Sequence, residues 1–583
     1  MSARKILSGV AMAVLSGGCL TANAASSCSP ALSEVDVKDG LKVQAVQADC
    51  GFPVRTFDRM TTELNRAVKG AGLSGAQIVS LARAANVILG AVHAQSGRIE
   101  RRTDTAFANI EPLIERLAEQ IRARPDADLV AEARKWVVRY EDLLRRASIA
   151  RSSDPLEPRI YEALERFDLD GASQLLTKLL AEKQGTEQVF AARCFEAGEI
   201  ELLRFTPQDA LSYLEKAYAL QPEDTDIATA FSDTLQEQRE FERAEPIYRS
   251  LLSRYQVLAQ EKPAAYQPQI ARTLDKLGNL YVGLQRPREA EVAYLGALEI
   301  YWVLARQNPV AYGPAVAESL DNLGVLYRDT QRLKEAADAY HEALDIDRAL
   351  AYRDPATYTP DIATTLNDLG ILYGATQRMS DAEQAYREAL DIQQALVRGN
   401  PAAYRPALAR TLNNLGNLYS AMQQLQEAEH AYTEALTIRQ QLARESPALY
   451  RPDVARTLTN LGALYRATQR PKEAQQAYQD ALQIYRALAL ENPTSYQPDE
   501  ARTLNNLGVL FSHSGHPREA ENAYRHALDL YRTLSRDNPV AYRQDEARTL
   551  GNLSTLLSQT RRPREAEETS REAARLFDTT KAP

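Results

Sequence analysis

The sequence predicts an all-α protein in which an N-terminal α-helical domain precedes a long array of paired helices. A Pro-x-x-Tyr phrase occurs seven times, from Pro263 to Pro539, at a constant step of 46 residues. Within each step, apolar residues recur at the three- and four-residue spacing of a helix face. The 583 residues are 44% apolar and 25% charged, which is typical of a globular protein. A fixed period of this length indicates a solenoid of stacked repeats.

The unit at residues 401–446 shows what is repeated. Leu412, Leu415 and Tyr419 share one face of a first helix. After a short polar turn, residues 428–442 carry a second apolar stripe. Each unit is therefore predicted to be a pair of antiparallel helices.

A glycine recurs in the middle of the first helix, where it costs about 1 kcal/mol relative to alanine. The glycines are Gly278, Gly324, Gly370, Gly416, Gly462 and Gly508, and Ser554 takes their place in the last unit. We expect a close helix–helix crossing there that a larger residue would block.

These residues resemble a known repeat family. The first unit reads Leu274-x-x-Leu277-Gly278-x-x-Tyr281 and then Ala290-x-x-x-Tyr294-x-x-Ala297. This pattern resembles the tetratricopeptide repeat (TPR), whose standard unit has about 34 residues, with leucine where that family usually has tryptophan. The longer unit here, with the phrase Thr411-Leu-Asn-Asn-Leu-Gly-Asn-Leu-Tyr419, is similar to the extended repeats of kinesin light chain. The resemblance covers roughly residues 190–576. It implies a right-handed superhelix whose first helices line a concave groove.

Two polar columns on the first helix are candidates for contact with a ligand. The asparagine column, just before the Leu-Gly pair, consists of Asn322, Asn414, Asn460, Asn506 and Asn552, with Lys276 and Asp368 as exceptions. The arginine column, four residues earlier, consists of Arg272, Arg410, Arg456, Arg502 and Arg548, with Glu318 and Thr364 as exceptions. Residues four apart are neighbours on a helix face, so the two columns are predicted to lie side by side.

The chemistry of these columns suits an extended peptide. Asparagine carboxamides both donate and accept, so a ladder of them can bind a peptide backbone whatever its side chains. Arginine adds bidentate recognition of carboxylates, which favours an acidic segment. The resemblance to kinesin light chain implies that the asparagine column contacts the peptide. In the alternative interpretation, asparagine caps local backbone and arginine solvates a helix face.

The sequence thus predicts a non-catalytic protein–protein interaction scaffold that binds an extended, acidic peptide segment of a partner protein. The alternative function is a structural or self-assembly element of the cell envelope. Changing Asn414, Asn460 and Asn506 together to alanine separates the two, because the first loses peptide capture and the second changes oligomer size.

Residues 1–24 have the features of a signal peptide. Arg4 and Lys5 form a basic start, Ile6–Leu15 a short apolar core, and Ala22-Asn-Ala24 a small-residue cleavage site. The protein is therefore expected to be exported, to the bacterial periplasm or as a secreted protein. In the alternative, a lipoprotein acylated at Cys19, the lipid attaches it to a membrane.

The remaining N-terminal sequence is predicted to form a small segment and a helical domain. In residues 25–54, Cys28 and Cys50 could form a disulfide in an oxidising compartment. Alternation around Asp39-Gly40 predicts a hairpin between them. Residues 55–150 have helical periodicity, with helices predicted near 104–124 and 127–148.

The rest of the chain divides by repeat length. Residues 151–223 are predicted to be a linker followed by degenerate repeats of the standard length, with Cys194 as a buried free thiol. Residues 224–583 are predicted to be the extended array, ending in a polar C-terminal cap.

No residue pattern supports catalysis, a cofactor or a metal site. The phrase Gly70-Ala-Gly72-Leu-Ser-Gly75 matches a dinucleotide fingerprint but follows a helical stretch rather than a strand. His341-Glu342 lacks the second histidine one turn later, and His513 and His516 fall in a predicted turn. The net charge of −9 provides no basic field for nucleic acid. We expect a protein or peptide partner and neither nucleic acid nor a small-molecule substrate.

Overall fold

The computed structural model describes residues 32–36, 42–45, 84, 88, 116–117, 129–149, 154–181, 186–399, 401–445 and 447–578. The predicted signal peptide, Cys28 and Cys50 lie outside these residues. The chain divides into two compact units, the first made of residues 1–377 and 391–404, the second of residues 378–390 and 405–583. Almost every described residue is helical, as predicted.

The elements follow one another in chain order as β1 (Leu32–Asp36), β2 (Lys42–Ala45), α1 (Leu129–Ile149), α2 (Leu156–Glu165), α3 (Leu169–Ala181), α4 (Glu187–Leu203), α5 (Pro207–Leu220), α6 (Thr225–Glu237), α7 (Phe241–Glu261), α8 (Pro263–Gly283), α9 (Pro287–Gln307), α10 (Pro309–Asp329), α11 (Leu333–Ala351), α12 (Pro355–Ala375), α13 (Met379–Gly399), α14 (Pro401–Ala421), α15 (Leu425–Glu445), α16 (Pro447–Ala467), α17 (Pro471–Glu491), α18 (Pro493–His513), α19 (Pro517–Asp537), α20 (Pro539–Gln559) and α21 (Pro563–Asp578).

The N-terminal elements agree with the sequence-based predictions. β1 and β2 form the predicted antiparallel hairpin. Helix α1 corresponds to the helix predicted near residues 127–148, and its Trp136 donates a hydrogen bond from Nε1 to the Leu203 carbonyl on α4, 2.8 Å away. Trp136 also packs against Phe167, with ring centroids 5.3 Å apart. Cys194 on α4 is a buried free thiol, as expected, and burial raises its pKa.

Proline and a polar cap determine where the first helix of each extended repeat begins. All seven of these helices begin at a proline, whose missing N–H is not needed in the first turn. In four of these helices the residue before the proline also caps the helix, because its side chain accepts a hydrogen bond from the backbone N–H three residues later. This cap is observed at Asn308, Asp354, Asn492 and Asn538.

The mid-helix glycine is explained by a tyrosine of the second helix. A Cβ added at the glycine would lie 2.4 to 2.7 Å from the ring of the tyrosine sixteen positions later. This contact is observed for the pairs Gly278/Tyr294, Gly324/Tyr340, Gly416/Tyr432, Gly462/Tyr478 and Gly508/Tyr524. In the last repeat Ser570 stands at the tyrosine position, so Ser554 fits, and its hydroxyl donates to the Ala566 carbonyl, 2.7 Å away. The expected close crossing is confirmed at these positions.

In four of the extended repeats, an arginine in the turn joins the repeat to the preceding one. In the first unit, Arg332 lies 4.2 Å from the centre of the Tyr327 ring. The same guanidinium pairs with Glu291 of the preceding repeat at 2.7 Å and with Glu335 at 2.6 Å. The arrangement recurs at Arg470 in the second unit.

The first helices of successive repeats approach one another within each unit. Helix α8 contacts α10 in the first unit, and in the second unit α16 contacts α18 and α18 contacts α20. They therefore form a shared side on which residues of neighbouring repeats meet. No described helix combines the length and the apolar character needed to cross a membrane.

Candidate peptide-binding face

Both polar columns lie on the shared side of the first helices, here called the first-helix face. The five asparagines of the asparagine column are half-buried, and the five arginines of the arginine column are exposed. The structure thus places amide groups beside guanidinium groups within each unit, where both are accessible. Whether they bind a ligand depends on which of them are already occupied by neighbouring side chains.

Some amides of the asparagine column bridge adjacent repeats. Asn460 donates from Nδ2 to Oδ1 of Asn413 at 3.3 Å and to Oδ1 of Asn417 at 3.1 Å. Asn552 donates in the same way to Asn505, at 3.0 Å. These bonds run between side chains of neighbouring first helices, so they are not the local backbone caps of the alternative interpretation.

Two amides of the column are open. The side chains of Asn322 and Asn506 make no hydrogen bond with the residues that the structure describes. Each retains two N–H donors and a carbonyl acceptor, which are the groups that a peptide backbone needs.

Three of the five arginines of the arginine column form an ion pair within their own helix. Arg456, Arg502 and Arg548 each pair with the aspartate three residues earlier, namely Asp453, Asp499 and Asp545. Exposed pairs of this kind contribute only about 0 to 1 kcal/mol, but they cancel the positive field that would attract an acidic peptide.

The other two arginines differ in their surroundings. Arg272 lies 3.6 Å from Asp233 on α6. Arg410 has Ala407 at the aspartate position and makes no ion pair with a described residue. Positive charge available to a ligand is therefore concentrated at Arg410.

A buried hydroxyl column under the first-helix face was missed by sequence reasoning. It consists of Thr273, Ser319, Thr365, Thr411, Thr457, Thr503 and Thr549, all buried. In the first unit the Ser319 hydroxyl donates to Asp275 at 2.7 Å, and the Thr365 hydroxyl donates to Asp321 at 3.1 Å. The signal was present in the sequence, because this position is a hydroxyl residue in every repeat.

A second missed position lies on the second helix and faces this layer. Tyrosine occupies it at Tyr255, Tyr301, Tyr485 and Tyr531, whereas the three repeats between them have Asp347, Gln393 and Arg439. All three replacements are buried. The layer therefore changes from aromatic to polar over three consecutive repeats.

Arg439 is a buried cation that is satisfied by neutral groups. Its guanidinium donates to Oδ1 of Asn413 at 3.2 Å, to the Asp453 carbonyl at 3.2 Å and to the Thr457 hydroxyl at 2.5 Å. Burial lowers its pKa to about 9. It thereby links α14, α15 and α16 within the second unit.

Asp347 is a buried anion at the corresponding position in the first unit. It is 3% exposed, and its Oδ2 has no hydrogen-bond partner among the described residues. Burial and the neighbouring Asp321 raise the pKa of Asp347 to about 8. Burial also raises the pKa of Asp321 to about 7. The carboxyl groups of Asp321 and Asp347 thus lie in the same poorly solvated region beneath the first-helix face.

The histidines considered as metal ligands have other neighbours. His341 lies 2.6 Å from the Tyr373 hydroxyl through its Nε2. The ring of His516 meets Phe511 edge-on, with centroids 6.4 Å apart. In the part of the chain that the structure describes, no group of three histidine, cysteine or acidic side chains is arranged to hold a metal ion.

Comparison with known proteins identifies the repeat. Models of the tetratricopeptide repeat match residues 316–350, 362–402, 409–442, 440–487 and 485–533. No curated protein matches the chain.

Several solved structures are similar. BtubC (BKLC) from P. vanneervenii is 21% identical over 43% of this chain and 93% of that one, with a TM-score of 0.36. A signal transduction ATPase (STAND) protein with a tetratricopeptide repeat sensor, from Pyrococcus horikoshii, is 12% identical over 85% and 73%, with a TM-score of 0.47. TPR-like repeats of the kinesin light chain type from Podosopora anserina are 15% identical over 38% and 99%, with a TM-score of 0.31.

The matched repeats, the paired helices and the glycine–tyrosine contacts agree on one family. Proteins of this family generally act as non-catalytic scaffolds for protein–protein interaction. The chain is an all-α protein that contains tetratricopeptide repeats, and such repeats imply a scaffold for protein–protein interaction.

Proposed function

We propose that this scaffold is exported, has no catalysis of its own, and binds an extended peptide segment of a partner protein along the first-helix face. The observation that carries the proposal is the column of half-buried amides beside exposed guanidinium groups on consecutive first helices. We further propose that the segment carries an acidic residue where it passes Arg410, the arginine that lacks an aspartate three residues earlier.

The contacts of the column support peptide binding over several repeats. Each hydrogen bond to a peptide backbone contributes only about 0.5 to 1.5 kcal/mol net, and ordering an extended segment costs free energy. Open amides such as Asn322 and Asn506 must therefore act together with others in their unit. Asn460 can take part through its carbonyl oxygen, because its bonds to Asn413 and Asn417 use only Nδ2.

Selection of displayed random peptides tests the proposal and does not require the partner to be identified. The wild-type protein is compared with a groove variant, Asn414→Ala, Asn460→Ala and Asn506→Ala combined. The matched control variant combines Gln476→Ala, Gln479→Ala and Asn522→Ala, which removes three exposed amides from second helices of the second unit.

Peptides enriched on the wild-type protein are expected to bind the control variant equally well and the groove variant at least tenfold more weakly. Thermal unfolding and light scattering show whether the groove variant is folded and has the wild-type mass. Equal binding by wild type and groove variant would refute the proposal. A changed mass with unchanged peptide binding would favour the self-assembly alternative instead.

Export is tested separately from binding. Residues 1–24 fused to a phosphatase that is active only outside the cytoplasm should confer activity, and a fusion lacking them should not. In exported protein, Cys28 and Cys50 should resist thiol labelling until reduction if they form the proposed disulfide. Free labelling of both thiols would exclude that pairing.

A further inference from the structure

We propose that Glu318, Asp321 and Asp347 form a subsite for a cationic side chain, a lysine or an arginine, of the peptide segment bound on the first-helix face. The inference rests on the proposed function, because the bound segment delivers the cation. These three residues, here called the acidic subsite, lie in the first unit on α10 and α11.

The acidic subsite leads from the surface into the core. Glu318 is exposed on the first-helix face, Asp321 lies one turn later and is half-buried, and Asp347 on α11 is buried. The charge of Asp321 interacts both with that of Glu318 and with that of Asp347. A cation that enters beside Glu318 therefore meets negative charge at increasing depth.

The equivalent position two repeats later shows which group the acidic subsite lacks. There Arg439 takes the place of Asp347, and it donates to Asn413 and Thr457. In the first unit, Asp321 corresponds to Asn413, so two carboxyl groups take the place of an amide and a guanidinium, and once both are ionised neither supplies a donor. The unpaired Oδ2 of Asp347 marks the missing donor, and a cation from the bound segment would supply it.

The charge of the first-helix face also reverses at this repeat. Five of the seven extended repeats have arginine at the position of Glu318. Glu318 itself makes no ion pair with the described residues. Helix α12 adds further negative charge through Asp361 and Asp368. Arg328 lies 3.6 Å from Asp368 and 3.1 Å from Asp329. The groups that face the subsite from α10, α11 and α12 are thus mainly acidic.

A buried carboxyl without a partner is unfavourable, and such departures from the packing rules are expected at functional sites. Burial raises the pKa of Asp321 to about 7 and that of Asp347 to about 8, so the pair retains a proton near neutral pH. A cation in the subsite favours the charged carboxylates. Binding should therefore release a proton and strengthen as the pH rises from about 6 to about 8.

An organic cation fits better than a metal ion. No group of three ligating side chains suitable for a metal occurs in the described ranges. A lysine has a flexible stem that can carry three N–H donors past Glu318 toward Asp321, and an arginine can bind a carboxylate through two parallel bonds.

The test uses the full-length protein and the random peptides selected on it. Sequencing should show a lysine or arginine at one position of the enriched peptides. Changing that basic residue of the peptide to alanine should weaken its binding to the wild-type protein about tenfold. The same change in the peptide should have little effect on its binding to the protein variants Glu318→Arg, Asp347→Tyr and Asp347→Asn. Tyrosine is the residue that the preceding repeat holds at this position, Tyr301, and Asp347→Asn removes the charge with the least change in shape. Glu299→Gln, an exposed acid on α9, is the matched control and should behave as wild type.

Calorimetry of one enriched peptide in buffers of different ionisation enthalpy measures the proton released, which a purely structural role for the acids would not produce. Proton release that disappears in Asp347→Asn supports the subsite. Peptides that need the asparagine column but neither a basic residue nor these acids would refute the subsite and leave the proposed function intact. If no peptide is enriched, the proposed function fails and the subsite fails with it.

Discussion

Replacing Gly416 with alanine tests the contact that sets the spacing between the two helices of a repeat. The added Cβ would lie 2.6 Å from two carbons of the Tyr432 ring. Gly551, which is also in the middle of a first helix, has no atom within 4 Å of the same added Cβ. The two substitutions are chemically identical and differ only in their surroundings, so Gly551→Ala is the matched control.

The magnitude follows from the geometry. The Tyr432 ring must move by about 0.8 Å, from 2.6 Å to the ordinary contact distance of 3.4 Å, and overpacking of this kind costs about 1 to 3 kcal/mol. Both substitutions gain about 1 kcal/mol of helix propensity. We therefore expect Gly551→Ala to stabilise the protein, and Gly416→Ala to be less stable than Gly551→Ala by about 1 to 3 kcal/mol.

Urea unfolding followed by circular dichroism measures the two free energies of unfolding. Because stacked repeats can unfold in parts, hydrogen exchange of residues 401–445 is measured as well, and Gly416→Ala should accelerate exchange there. When Gly416→Ala is combined with Tyr432→Leu, the smaller side chain at position 432 should remove most of the steric cost of the added methyl group. Equal stabilisation by Gly416→Ala and Gly551→Ala would refute the steric explanation of the glycine.

Three further predictions concern the buried polar groups. Arg439→Ala should lower the free energy of unfolding by about 2 to 3 kcal/mol, since it removes three hydrogen bonds that a buried guanidinium makes. Arg439→Tyr, which introduces the residue that the following repeat holds at Tyr485, should cost less in the same urea measurement. Asp347 has a folded-state pKa of about 8 against an ordinary 3.8, so the folded state binds its proton more tightly. Its contribution to stability is therefore complete near pH 4 and is lost as the pH rises toward 8. Asp347→Asn should flatten that part of the stability–pH curve, and an unchanged slope would contradict the assignment. Tyr294→Phe should cost about 0.5 to 1.5 kcal/mol because the hydroxyl donates to Asn279 at 2.7 Å. Tyr340→Phe should be neutral or stabilising because the Tyr340 hydroxyl is buried without a partner among the described residues, and a similar loss at both positions would contradict this difference.

The fold could be predicted because its determinants are local and repeated. The prolines that begin the first helices and the glycine–tyrosine pairs are separated by constant distances in the sequence, so one unit read correctly predicts the others. Gly416 and Tyr432 illustrate this, since both the exception at Ser554 and its cause at Ser570 can be read from the sequence.

The residues of the candidate site could be predicted from the sequence, but most of their contacts could not. The asparagine and arginine columns were found from helical spacing, and their exposure agrees with it. The sequence alone did not show that Asn460 bonds to the preceding repeat or that Arg456 already pairs with Asp453, because these contacts depend on side-chain conformation and on the distance between helices. The acidic environment of Asp347 was missed for a different reason, since the neighbouring acids Asp321 and Asp361 come from two other helices.

Site-specific photo-crosslinking tests the central claim most directly. A photoreactive amino acid is placed in the first-helix face by Asn460→p-benzoylphenylalanine and on a second helix by Gln476→p-benzoylphenylalanine, and each protein is irradiated with an enriched peptide. The account predicts a crosslink from position 460 that excess unlabelled peptide prevents, and only background from position 476. A specific crosslink from position 476 with none from position 460 would contradict it.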